Sequence, residues 1–149
     1  MFKHILLPTD GSPLSELAIR RGMEFAKSIN ARVTGFCVIP EFHVVTYKTE
    51  MLEDTKEQYA RDSRAHAAEN LAVVANAAKA AGVQCDTSYV INDRPYEAIV
   101  KAAEDKGCDL ILMASHGRSG MSGVLLGSET QKVLTHTGIP VLVYRESKS

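Results

Sequence analysis

The chain has 149 residues, enough for one domain to bury a real core without disulfide or metal staples, and all of 1–149 reads as that single domain. Its 17 basic and 18 acidic residues leave a net charge of -1, which gives no electrostatic footprint for nucleic acid or an anionic membrane. No apolar run approaches the ~18 residues of a membrane span and no signal-peptide core follows Met1, so a soluble, cytoplasmic protein with no membrane partner is expected.

In chain order, strands and helices alternate. His4 to Leu7 is a short apolar strand ended by Pro8-Thr9-Asp10-Gly11, since proline and glycine interrupt a ladder. Ser12-Pro13 reads as N-cap and first helical residue, and Leu14, Ala18, Gly22, Phe25 and Ile29 follow at spacings of three or four, a stripe for packing on a sheet. This first helix runs to about Asn30. Val33 to Ile39, closed by Pro40, is dense enough in apolar residues for a strand buried on both faces. After a polar segment from Glu41 to Thr49 comes the longest helix, about Glu50 to Ala81, with Leu52, Tyr59, Leu71, Val74 and Ala78 as inward positions and Gly82 as its stop. Its first half is the more charged, which sends that end into solvent or over a cleft.

Gln84 to Ile91 is the third strand. Asp93-Arg94-Pro95 starts a helix in which Tyr96, Ile99, Ala102 and Ala103 share a face, and Gly107 ends it. Asp109 to Ala114 is the fourth strand, Ser128 to Thr137 the fourth helix, and Val141 to Tyr144 the last strand. Such alternation predicts an α/β fold, an open five-stranded parallel sheet of order 3-2-1-4-5 with helices on both faces, Rossmann-like. Cys37, Cys85 and Cys108 form no CxxC or Cys/His cluster and read as small buried hydrophobes in a reducing compartment. His4, His43, His66 and His136 show no ligand spacing, and no metal site is expected.

Function concentrates after the fourth strand. Ser115 to Leu126 is a twelve-residue connection, long for an α/β unit where ~2–6 residues are usual, and it carries Gly117, Gly120 and Gly123 before Gly127-Ser128 opens the next helix. The amides of a helix start lack partners and carry partial positive charge, a ready site for phosphate. The loop after the first strand holds Gly11 alone, so GxGxxG is absent, and no GxxxxGK[ST] occurs anywhere. Ligands of an open parallel sheet sit at the strand carboxyl ends where winding reverses, between strands one and four. Asp10 therefore stands opposite the glycine loop.

These residues resemble the universal stress protein family: Ile5-Leu6-Leu7-Pro8-Thr9-Asp10-Gly11-Ser12, the Ser115-His116-Gly117-Arg118 turn, and Leu125-Leu126-Gly127-Ser128 followed by Pro140-Val141-Leu142-Val143. The family's nucleotide-binding pattern, Gly-x2-Gly-x9-Gly-[Ser/Thr], is kept in spacing as Ala114-x2-Gly117-x9-Gly127-Ser128, with alanine for the first glycine. The resemblance implies ATP or AMP across the sheet ends, with Mg2+ where a triphosphate brings it. Adenine would lie near Thr9 and the main chain of Val38, ribose near Asp10, and phosphates on Gly117, Gly127, Ser128 and Glu129. Pro8, Met113, Ala114 and Arg118 complete the implied site. The implied role is a nucleotide-binding regulatory module in stress response; the alternatives are a slow ATPase or self-phosphorylating protein, and a nucleotide-free interaction protein.

Several residues carry two readings. Asp10 is either a ribose ligand or the first residue of an Asx turn before Gly11, or both. Ser128 either contacts phosphate or forms an S-x-x-Q capping box with Gln131. His116, lacking an identifiable nucleophile or carboxylate partner, shapes the loop rather than acting as a base. Arg118 either pairs with phosphate or stays solvated. Glu129 suits the dipole of its helix, but a carboxylate facing the loop would repel a γ-phosphate and favour AMP or ADP. Finally, Val141 to Tyr144 is an edge strand in this order, apolar on both faces with no lysine, proline or glycine, and pairing with its own copy would make a homodimer.

Overall fold

The computed structural model describes residues 1–43, 49–117 and 126–146. Each apolar run becomes a strand and each stripe a helix: β1 (His4–Pro8), α1 (Pro13–Ser28), β2 (Arg32–Ile39), α2 (Thr49–Ala81), β3 (Cys85–Ile91), α3 (Pro95–Asp105), β4 (Leu110–Ala114), α4 (Ser128–His136) and β5 (Val141–Tyr144). The sheet runs β3-β2-β1-β4-β5 with every neighbouring pair parallel, as expected from the alternation.

Strand alternation sends successive side chains to opposite faces, and both faces are covered. Ile5, Leu7, Val33, Leu110 and Leu112 pack under α1 and α2, whose Ala18, Ile19, Met23, Val74 and Ala78 are buried. Leu6, Phe36, Ile111 and Met113 pack on the other side under Ala98, Ile99, Ala102 and Ala103 of α3 and Val133 of α4. Cys37 and Ile39, near the end of β2, meet Ala67 and Leu71 of α2 in a smaller cluster.

Helix starts follow local chemistry with two differences. Ser12 caps α1 as expected, its hydroxyl accepting the Ser15 amide at 3.2 Å, with Pro13 first in the helix. At α4 the N-cap is Gly127, not Ser128, and no capping box forms: Gln131 turns its side-chain amide onto the Leu126 carbonyl at 2.9 Å. Ser128 already has helical backbone, so its hydroxyl is one residue too late to reach the free amides. At α3 the N-cap Arg94 offers no side-chain acceptor, and the acceptor comes from α4 instead, where Glu129 Oε2 takes the Tyr96 amide at 3.0 Å. Cys37 and Cys108 are buried as expected, but Cys85 is only half-buried, because β3 is a sheet edge. Arg118, Gly120 and Gly123, and the side chain of Leu52, lie outside what the structure describes.

Candidate functional site

The carboxyl ends of β1, β2 and β4 open on one cavity of about 870 Å³, within the ~300–1,000 Å³ typical of small-molecule sites. At its centre β1 ends and the chain turns into α1. Thr9 is buried, its amide on the Phe36 carbonyl at 2.9 Å and its hydroxyl 2.6 Å from Ser15 Oγ. Asp10 Oδ1 accepts the Ser12 amide at 2.9 Å, so the Asx turn is made. The other oxygen, Oδ2, lies against Gly117, where any Cβ would drive into it. Only glycine lets the β4 loop come this close to Asp10.

Across from Asp10, the start of α4 is sewn to the end of β4. The Gly127 amide donates to the Ser115 carbonyl at 2.7 Å, and Thr130 Oγ1 donates to the Ala114 carbonyl at 3.0 Å. These two bonds close the long connection and set the helix start at the cavity wall. Helical bonding begins with the Gln131 amide on the Gly127 carbonyl at 3.0 Å; the amides of Ser128, Glu129 and Thr130, all three on residues lining the cavity, have no acceptor among the described residues. The Ser128 hydroxyl likewise has none. Such an end of a helix is an anion site. No lysine or arginine lines the cavity among the described residues, so the amides are what the wall offers an anion.

Glu129 does not face the loop. Its carboxylate reaches the Tyr96 amide and, at 3.5 Å, Lys132 Nζ, so it is committed to α3 and its own helix and the expected clash with a γ-phosphate is absent. His116 lines the cavity with Nδ1 3.3 Å from Ser115 Oγ, and its Cα and Cβ stand 3.1 Å from where a Cβ on Gly127 would be. That packing fits the loop-shaping role.

Of the residues read from the sequence, Pro8, Thr9, Asp10, Val38, Met113, Ala114, Gly117, Gly127, Ser128 and Glu129 all line this one cavity. Arg118 lies outside the described residues. Of the α2 wall, Tyr59 was expected to face inward and the charged half to lie in solvent or over a cleft; Asp62, Ser63, His66, Ala67 and Asn70, which were not singled out, line the cavity with Tyr59 and make that half the cover of a cleft. Tyr59 donates its hydroxyl to the Pro40 carbonyl at 2.6 Å and packs on the Phe42 ring, tying the exit of β2 to α2. Spacing of three and four was the available signal, but polar residues at that spacing are also what a solvent face shows.

One group of metal-binding side chains comes together among the described residues: Glu41, His43 and Asp93, with ligand atoms within 4.8 Å of one another. All three are exposed, and Asp93 already serves the His43 ring and the Glu41 amide, which hold its carboxyl below the usual range. The group ties the exit of β2 to the β3–α3 turn. Sequence spacing gave no hint of it, because Asp93 lies fifty residues from His43.

Residues 1–145 match the family model described as the universal stress protein family. The universal stress protein YxiE of Bacillus subtilis is 32% identical over 149 residues, covering 97% of this chain and 100% of that protein. The solved structure of MJ0577, a universal stress protein of Methanocaldococcus jannaschii, superposes with a TM-score of 0.83 at 30% identity over 100% of this chain and 99% of that one. A universal stress protein solved in complex with cAMP has a TM-score of 0.68 at 26% identity, covering 98% of this chain and 99% of that one.

Proposed function

The chain belongs to the universal stress protein family, and from that premise we propose that it is a regulatory module of the stress response that binds an adenine nucleotide, ATP or AMP, at the carboxyl ends of β1, β2 and β4. The observation that carries this reading is the convergence on one cavity of three amides at the start of α4 that have no acceptor among the described residues, the Gly117 approach and the Asp10 carboxylate. In it, phosphate sits on the amides of Ser128, Glu129 and Thr130, with Gly117 and Gly127 giving it room. The ribose hydroxyls meet Asp10, whose two carboxylate oxygens offer about four acceptor positions between them. Adenine enters the apolar slot of Pro8, Val38 and Met113, beside buried Thr9. A triphosphate would carry Mg2+ on its own oxygens. The cAMP complex of a relative supports the ligand class.

The same reading makes the protein a cytoplasmic homodimer joined through β5. Among the described residues no helix is long and apolar enough to cross a membrane.

Purified protein is denatured and the released small molecules identified by mass, and AMP and ATP affinities are measured by calorimetry. Gly127→Val is the control, since a branched side chain there meets His116 and the Ser115 carbonyl at 3.1–3.4 Å. The expected result is an adenine nucleotide bound to the wild type and a loss of at least ~10-fold in affinity for the variant, the size of one lost charged hydrogen bond. Unchanged affinity in a folded Gly127→Val protein would reject this placement of the phosphates. Phosphate release from ATP above that control would favour the slow ATPase.

A further inference from the structure

We propose that Asn70, on α2, is the positioning residue that backs the Asp10–Gly11 turn, so that the long helix governs recognition of the sugar. The inference rests on the reading of Asp10 as the ribose ligand and adds to the site a residue from an element that carries no part of the nucleotide pattern.

Gly11 has φ +78°, the left-handed region that favours glycine, and the Asn70 side chain lies against it. From the point where a Cβ on Gly11 would stand, Asn70 Oδ1 is 2.5 Å away, Cγ 2.9 Å and Nδ2 3.0 Å. The carboxamide therefore occupies the space that any other residue at position 11 would fill. Asn70 is half-buried and borders the apolar stripe of Ala67, Leu71 and Val74 that seats α2 on the sheet, so its backbone is not free to drift. Its side chain also lies beside the Cys37 thiol of β2. There burial pushes the thiol up, Asn70 opposes that push, and the charge of Asp10 adds to it, which places Asp10, Cys37 and Asn70 in one corner of the cavity.

The Asp10 carboxylate is thus confined on separate sides. Its Oδ1 is held by the Ser12 amide, its Oδ2 lies against Gly117, and the turn that carries it rests on Asn70. Without the carboxamide the turn loses the restraint that α2 supplies, and the carboxylate samples orientations that miss the ribose hydroxyls. An error of about an ångström is enough to lose a directional bond to a charged acceptor. A residue that merely stabilised the fold would weaken every ligand alike; a residue that positions Asp10 weakens only those with sugar hydroxyls.

Calorimetry with AMP and 2′,3′-dideoxy-AMP separates the two on wild type, Asp10→Ala, Asn70→Ala and the double variant. Wild type is expected to prefer AMP by at least ~10-fold, a charged hydrogen bond's worth, and Asp10→Ala to erase that preference. Asn70→Ala should weaken AMP by about 5- to 10-fold, leave dideoxy-AMP within a factor of about two, and add nothing to Asp10→Ala in the double variant. Should Asn70→Ala fold poorly by circular dichroism, Asn70→Ser, which also withdraws the carboxamide from Gly11, is read the same way. Equal weakening of both ligands, or an intact preference for AMP, overturns the role of Asn70 while leaving the ribose reading of Asp10 standing. A wild type that binds both ligands equally removes the ribose reading, and this inference with it.

Discussion

His4 sits at the pole of the sheet opposite the cavity, buried at 6% exposure, with Nε2 2.7 Å from Thr34 Oγ1. Thr34 donates its own proton to Asp86 Oδ1 at 2.6 Å, so its oxygen accepts from His4 and Nε2 carries the hydrogen. That leaves Nδ1 as the basic nitrogen, buried without a partner in good geometry. Burial first, then the charge of Arg32, pushes His4 below its ordinary value, outweighing the pull of Asp86, Asp109 and the Lys106 carbonyl. The folded state thus binds this proton less readily than the unfolded chain. Stability from this group is complete above the unfolded value of 6.5 and falls as pH drops from there toward the lower folded value. Urea unfolding at pH 7.5 and 5.5 should show a larger loss for wild type than for His4→Gln, which donates to Thr34 without titrating. Equal losses would mean that other groups carry the acid sensitivity. At this scale the sequence was an uneven guide. Asp10, Gly117 and Gly127 were legible because their residue types have few other uses at a strand end or helix start. Asn70 and His66 were not, since a polar side chain facing a cavity and one facing water obey the same helical period.

Between elements, the starts of α3 and α4 are joined by one carboxylate. Glu129 accepts the Tyr96 amide in the first turn of α3 and pairs with Lys132, while Tyr96 packs on the His136 ring at 4.9 Å between centroids and lies under Lys132 Nζ at 5.5 Å. The two helices that flank β4 are thereby fixed against each other at their amino ends, with Pro95 and the α4 amides on the same cavity wall. Glu129→Ala should lower stability by ~0.5–2 kcal/mol, as for loss of a helix cap, and Glu129→Gln, which still accepts the amide, by clearly less. A chemical denaturation series checks this, and an alanine variant as stable as wild type would remove the bridging role. The bounds of β1, β2 and β4 could be read from sequence to within a residue or two because their near-complete burial leaves mostly apolar residues. The Ser12 cap of α1 could be read too, but that of α4 could not, since S-x-x-Q predicts an acceptor inside α4 whereas the chain starts α4 on Gly127 and lends its next carboxylate to another helix.

For the whole molecule, the parallel sheet followed from alternation and crossover handedness and the 3-2-1-4-5 order from the doubly wound pattern, and that order leaves β5 with β4 on one side only. The direction of its free groups can be worked out. The Ile111 amide donates to the Pro140 carbonyl and the Ser115 amide to the Tyr144 carbonyl, so the residues of even number turn their backbone groups toward β4. Val141 and Val143 therefore point theirs outward, and Leu142, at 42% exposure, adds apolar surface beside them. An edge with no further strand beside it among the described residues invites another strand, and pairing with its own copy across a two-fold axis closes the contact as a dimer rather than a fibre. Val143→Pro tests the dimer cleanly, because the amide it removes belongs to the outward edge and the bonds to β4 are left in place. Light scattering after gel filtration should give twice the 16.2 kDa chain mass for wild type and a shift toward one chain for the variant. A monomeric wild type would reject the dimer. A proline variant that stays fully dimeric, with its melting curve unchanged, would move the interface away from β5.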